Sequence, residues 1–146
     1  MPKIKILAVG KIKENYILEG IQEYMKRMRT RRLEIIELDD STKEKEGEKI
    51  LKRLEKLEGY MTIVLDEHGE GFTSIGFSEF MKKNLQLDIC FIIGGPDGLD
   101  KSVLDKVDHA IALSQMTFTH EMVRLFLVEQ LYRVFSIIEG KSYHRN

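Results

Sequence analysis

Among its 146 residues the chain has one cysteine and no tryptophan. A lone Cys90 allows no disulfide within the chain and no cysteine-based metal site. No apolar run approaches the roughly 20 residues that cross a bilayer as a helix. The opening Met1-Pro2-Lys3-Ile4-Lys5-Ile6-Leu7 lacks the apolar stretch and small-residue cleavage site of a signal peptide. These absences predict a cytoplasmic protein with no membrane partner. The common nucleotide fingerprints are missing too. The first strand-to-helix turn, Val9-Gly10-Lys11-Ile12-Lys13-Glu14, holds no G-x-G-x-x-G, and no G-x-x-x-x-G-K-[ST] loop occurs anywhere. A nucleotide-dependent oxidoreductase is disfavoured on that ground. His68, His109, His120 and His144 have no metal-ligand spacing, and His120-Glu121 falls short of H-E-x-x-H because Arg124 stands where the second histidine belongs. No metal is expected. A Ser-His-Asp triad stays open, though no G-x-S-x-G elbow marks one.

What is present is a pattern of alternating strands and helices. With 42% hydrophobic residues, the chain is long enough for one compact domain spanning residues 1–146. Strands are expected over residues 3–9, 33–38, 60–66, 88–93 and 109–113. Helices are expected over 15–29, 43–57, 74–85, 102–107 and, capped by Thr119, to about residue 139. Residues 67–71, Glu67-His68-Gly69-Glu70-Gly71, read as a loop. The alternation predicts an α/β fold with a parallel sheet covered on both faces. Residues 88–93 are almost uniformly apolar, as a doubly covered strand should be, and Cys90 within them reads as a buried structural thiol.

The net charge of −1 neither favours nor excludes a nucleic-acid partner. Lys26, Arg27, Arg29, Arg31 and Arg32 form a dense basic stretch, which is either a solvated helix end or a patch that follows a phosphate backbone. The last helix is unusual in being apolar around most of its circumference, with Glu129, Arg133 and Ser136 as one polar strip. Such a helix must be buried on more than one side, and in so small a domain that predicts a subunit interface and a homodimer.

Open α/β sheets bind ligands beyond the carboxyl ends of their strands. Three such ends stand out: Leu65-Asp66, Gly94-Gly95-Pro96-Asp97-Gly98, and Leu113 to Phe118. Gly94 and Gly95 suit a backbone of positive φ or the close approach of a ligand; an ordinary tight turn is the plain alternative.

Ile92-Ile93-Gly94-Gly95-Pro96-Asp97-Gly98-Leu99, Leu113-Ser114-Gln115-Met116-Thr117-Phe118 with His120, Arg124-Leu125, Glu129-Gln130-Leu131-Tyr132-Arg133 and the terminal Tyr143-His144-Arg145 together resemble the ribosomal RNA large subunit methyltransferase H family of the SPOUT superfamily. The resemblance spans the chain, from Ile6-Leu7-Ala8-Val9-Gly10-Lys11 onward. Thr119 and Ser142 stand where the family often has proline. The resemblance implies a single-domain SPOUT methyltransferase fold with a C-terminal trefoil knot, and methylation of N3 of a pseudouridine in 23S rRNA, within the assembled ribosome. S-adenosyl-L-methionine would be the methyl donor, held by Leu65, Gly94, Leu113, Ser114, Gln115, Met116, Thr117 and Phe118. Tyr143, His144 and Arg145 would act on the target nucleotide, by positioning it or moving its proton. The alternative from another class is a non-catalytic α/β module that binds RNA or the ribosome.

Overall fold

The computed structural model describes residues 2–145; Met1 and Asn146, the ends of the opening segment and of the tail, lie outside the described residues. In chain order the elements are β1 (Lys3–Val9), α1 (Asn15–Arg27), β2 (Arg32–Leu38), α2 (Lys43–Glu55), β3 (Met61–Gly71), α3 (Ser74–Asn84), β4 (Ile89–Ile93), α4 (Lys101–Leu104), β5 (His109–Ala112) and α5 (His120–Ile138). The five strands form one sheet in the order β2-β1-β4-β3-β5, and every neighbouring pair is parallel.

The two-residue period of a strand sorts side chains between two cores. Ile4, Ile6 and Ala8 of β1, with Ile89, Phe91 and Ile93 of β4, face a cluster shared with α1, α3 and α5. Leu7, Val9, Cys90 and Ile92 face the other side, where Ile50 of α2 and Val103 of α4 cover them. Helix starts follow from capping: the side chains of Thr42, Thr73, Asp100 and Thr119 accept backbone N–H bonds from the first turns of α2, α3, α4 and α5. Glu14, at the start of α1, makes no such bond. The Glu121 carboxylate of α5 takes over instead, accepting from the N–H groups of Lys13 at 2.9 Å and Glu14 at 3.1 Å.

Helix α5 lies against the sheet with α1 along one flank and α3 along the other. No residue of it is exposed outright, so the chain encloses its last helix further than the composition suggested. Ser136, expected on a polar strip, is buried at 2% exposure. Met122, Val123, Leu125 and Phe126 remain half-buried.

Several boundaries differ from expectation. Helix α1 stops at Arg27, and Met28, which leaves helical geometry as the C-cap, is buried in the core at 3% exposure. Helix α4 is a single turn ending at Leu104, after which Asp108 is tied to Thr62 of β3. Most consequential, β3 does not end at residue 66. Leu65 and Glu70 both lie opposite Ile111 of β5, so residues 66–69 bulge out and the strand then resumes to Gly71. A Cβ on Gly69 would stand 2.6 Å from the Ala110 carbonyl. Only glycine lets the returning strand come that close.

Candidate functional site

The sheet brings three of the expected ligand-binding segments to one edge. Val64 of β3 is level with Ile92 of β4 and Ala110 of β5. Leu65 therefore sits one step below Gly94 and two below Leu113, with all three strands pointing the same way. The turn after β4 is closed by a hydrogen bond from the Gly98 N–H to the Gly95 carbonyl at 3.0 Å. Positive φ falls on Gly98, at 81°, and on neither Gly94 nor Gly95. Gly94 is bare for a different reason: a Cβ there would meet the Gly98 carbonyl oxygen at 2.9 Å and Leu99 Cγ at 3.0 Å. Behind the turn, a Cβ on Gly95 would lie 3.2 Å from the carboxylate of Glu46, which is 5% exposed.

The segment from Leu113 to Phe118 is a loop braced from several sides. The Ser114 hydroxyl accepts the Met116 N–H at 3.0 Å, and the Thr117 hydroxyl donates to Glu67 on the β3 bulge. Phe118 meets Phe126 of α5 edge-on, ring centres 5.1 Å apart. Between them Gln115, Met116 and Thr117 are exposed, Met116 at 73%. Leu113, Ser114 and Phe118 also line a cavity of about 220 Å³ between α3 and α5, whose polar wall includes Ser74, Glu129 and Gln130. Leu65 and Gly94 are not part of that wall. Among the described residues no three His, Cys, Asp or Glu side chains gather as a metal-binding group.

In this strand order β1 lies between strands reached in opposite directions, which is where α/β sheets usually open a nucleotide crevice. Here α5 plugs it. Arg124, 2% exposed, donates to the Gly10 carbonyl at 2.9 Å and to Glu37 at 2.5 Å. His120 stands beside Gly10, its Nε2 3.9 Å from where a Cβ would be. Glu121 and Arg124 are thus fastenings of α5 near the exit of β1, with His120 beside them. The sequence showed that they fall short of a zinc motif, but nothing in their spacing pointed to this clamp.

The tail is docked rather than loose. The Lys141 N–H bonds to the Ser136 carbonyl at 2.8 Å and so ties the start of the tail to the end of α5. Tyr143 packs against Tyr132 at 4.7 Å between ring centres, and the Arg133 guanidinium lies 4.8 Å over its ring. Its hydroxyl is 3.0 Å from the Tyr24 hydroxyl of α1 and 3.5 Å from Glu129. Burial pushes the Tyr143 phenol above its ordinary range; the Tyr24 hydrogen bond and the Glu129 charge act the same way, and Arg133 opposes them. Tyr143 is therefore a neutral donor. His144 Nδ1 lies 3.0 Å from Arg133 Nη1. A guanidinium only donates, so Nδ1 accepts, and in the neutral ring the proton sits on Nε2. Arg145 is exposed. In the basic stretch, Arg27 pairs with Glu23 at 2.8 Å and Arg31 pairs with Glu139 while covering Phe135 at 4.2 Å. Arg27 and Arg31 are thus engaged within the chain.

A five-stranded parallel sheet whose C-terminal helix returns across β1, with a braced loop ahead of it, has counterparts among solved methyltransferases. A probable methylase family protein from Haemophilus influenzae Rd KW20 aligns over 99% of this chain and 71% of its own, with TM-score 0.58 and 14% identity. The SpoU methyltransferase AviRb from Streptomyces viridochromogenes, solved in complex with the cofactor AdoMet, aligns over 90% of this chain with TM-score 0.50 and 9% identity; this chain spans 57% of its length. The fold is that of a SPOUT methyltransferase, a class dependent on S-adenosylmethionine.

Residues 2–144 match the profile of the family described as predicted SPOUT methyltransferase. The ribosomal RNA large subunit methyltransferase H of Halothermothrix orenii is 47% identical, over 98% of this chain and 99% of its own. The protein of the same name from Acetivibrio thermocellus is 42% identical with the same coverage. The chain belongs to the ribosomal RNA large subunit methyltransferase H family of SPOUT methyltransferases.

Proposed function

We propose that this chain methylates N3 of a pseudouridine in 23S rRNA of the large ribosomal subunit, with S-adenosylmethionine as methyl donor, acting in the cytoplasm as a homodimer on the assembled ribosome. Relatives that match nearly end to end carry the name of an rRNA methyltransferase, and no described helix is long and apolar enough to cross a membrane. The observation that carries the reading is the convergence of Leu65, Gly94 and Leu113 to Phe118 at one sheet edge. The trefoil knot belongs to the same proposal. Clamps from Arg124 and Glu121 on one side of the Leu113–Phe118 loop, and from Glu67 on the other, suit a chain passed through itself.

The residues present suit the donor. Leu113, Phe118 and Phe126 offer apolar and aromatic surface, and the Glu129 carboxylate in the wall is already paired with Arg133. At about 220 Å³ the cavity is smaller than the ~300–1,000 Å³ usual for small-molecule sites. It therefore takes part of the ligand, and the rest extends toward the strand ends at Leu65 and Gly94. When bound, the sulfonium supplies an electrophilic methyl group. What remains for the chain is to align the nitrogen with it and to keep the nucleotide extruded from its stack. Tyr143, His144 and Arg145 serve that end. Tyr143 offers its ring for the extruded base to stack on, His144 offers Nε2–H to a base carbonyl, and Arg145 pairs with phosphate. With Nδ1 already accepting from Arg133, His144 orients the base and does not take its proton.

Calorimetry on the purified protein tests the ligand directly. S-adenosylmethionine should bind once per chain without added metal, and NAD should give no heat. Binding of NAD, or silence with both, would overturn the reading.

A further inference from the structure

Glu129 stands where the cavity and the tail meet. Its side chain is 17% exposed and forms part of the cavity wall opposite Leu113 and Phe118. One carboxylate oxygen accepts from Arg133 Nε at 3.2 Å, Arg133 Nη2 at 3.1 Å and Gln130 Nε2 at 3.1 Å. The other accepts from Arg133 Nη2 at 3.2 Å and from the Tyr143 hydroxyl at 3.5 Å. Arg133, held in that fork, turns its remaining Nη1 to His144 Nδ1 at 3.0 Å. On the cavity side Ser74 of α3 donates to Gln130 at 2.8 Å. A continuous hydrogen-bonded path therefore runs from the lip of the cavity through Gln130, Glu129 and Arg133 to both tail residues that carry rings.

An ordinary Glu–Arg pair four residues apart on a helix contributes a few tenths of a kcal/mol to that helix and faces water. This one is half-buried, faces the cavity, and directs its free donor to a residue outside the helix. The guanidinium is a planar fork with fixed donor directions, so locking one edge on Glu129 sets the direction of the other. The Tyr143 ring is fixed in the same stroke, with Arg133 over its face and Glu129 and Tyr24 on its hydroxyl.

We propose that Glu129 and Arg133 are positioning residues: from the cavity wall they set the orientation of Tyr143 and the tautomer and direction of His144, and so the placement of the target nucleotide relative to the methyl donor. This rests on the tail acting on the nucleotide, as proposed above. Neither residue needs to touch the reacting atoms.

The test compares five proteins: the parent, Glu129→Gln, Arg133→Lys, the double variant Glu129→Gln with Tyr143→Phe, and the chain ending at Ser142. Glu129→Gln keeps the shape but loses the charge that locks the fork; Arg133→Lys keeps the charge but cannot reach Glu129 and His144 in one plane. Three readouts are taken: S-adenosylmethionine affinity by calorimetry, kcat/KM for ribosome methylation, and amide hydrogen exchange over residues 139–145. Cofactor affinity should stay within about twofold in both variants, since uniform binding is untouched. The kcat/KM should fall roughly 100-fold, the scale of a 1 Å misplacement, and tail exchange should speed at least about 10-fold as local protection is lost. Adding Tyr143→Phe to Glu129→Gln should cost little more than Glu129→Gln alone, because the two act on one arrangement. Normal methylation by Glu129→Gln and Arg133→Lys, alongside a dead truncated chain, overturns the positioning role while leaving the tail's role intact. A loss of cofactor affinity matching the loss of methylation overturns it as well. Full methylation by the truncated chain overturns the reading of the tail itself.

Discussion

Cys90 shows how one side chain reports its surroundings. It has no exposed surface, and burial pushes its thiol from 9.0 up to about 12. In the fold it therefore stays protonated, while in the unfolded chain it ionises above about pH 9. The sign follows: its contribution to stability is fully present below about pH 9 and is lost as the pH rises beyond it. Urea midpoints should be flat from about pH 7 to 8.5 and fall above 9, and iodoacetamide should label Cys90 only after unfolding; rapid labelling of the native chain at neutral pH would refute this burial. Arg124 makes the opposite case, a buried cation with an unpartnered Nε. Its partner Glu37 is 42% exposed and would return to water if Arg124 were removed, whereas the Gly10 carbonyl would lose its donor. Arg124→Met should cost about 1–3 kcal/mol in urea unfolding, the range for stranding one buried polar group. A neutral result would mean that the clamp at β1 contributes nothing.

At the scale of elements, strand and helix order was legible because period-2 and period-3.6 patterns are set by burial. Ile4, Ile6, Leu7, Ala8 and Val9 of β1 and all of β4 are buried, as their apolar side chains require. The extension of β3 was not legible. Residues 67–71 hold two glycines, two glutamates and a histidine, which is the composition of a turn. They return to the sheet because β5 offers an open edge and Gly69 can slide over the Ala110 carbonyl, a tertiary fact with no local signal. Gly69→Ala should therefore cost about 1–3 kcal/mol, as overpacking does, and should loosen the Glu67–Thr117 link to the Leu113–Phe118 loop. Thermal melts would show the first effect and hydrogen exchange over the loop the second; an unchanged melting temperature would place the bulge elsewhere. Among the proposed site residues, the strand ends were readable from topology and resemblance. Glu121 as a remote cap for α1, and Glu129 as the link to the tail, were not. Both depend on contacts across the fold, 107 or more residues apart for Glu121 and between helix and tail for Glu129.

For the whole molecule, the α1, α3 and α5 side of the sheet gathers the features that any partner would meet. It holds the docked tail, the half-buried Met122, Val123 and Phe126, and Tyr16 of α1 at 66% exposure. Closed two-fold pairing is the usual way such a face is covered. Sedimentation at low micromolar concentration should give twice the 17.0 kDa mass of the chain, and a stable monomer would contradict the dimer. The account as a whole turns on methyl transfer to one nucleotide. Purified protein would be incubated with ribosomes and isotopically labelled S-adenosylmethionine, the rRNA digested, and the labelled nucleoside identified by mass spectrometry. The account predicts label on N3 of a single pseudouridine of 23S rRNA. Label on a different nucleotide, or none despite bound cofactor, would contradict it.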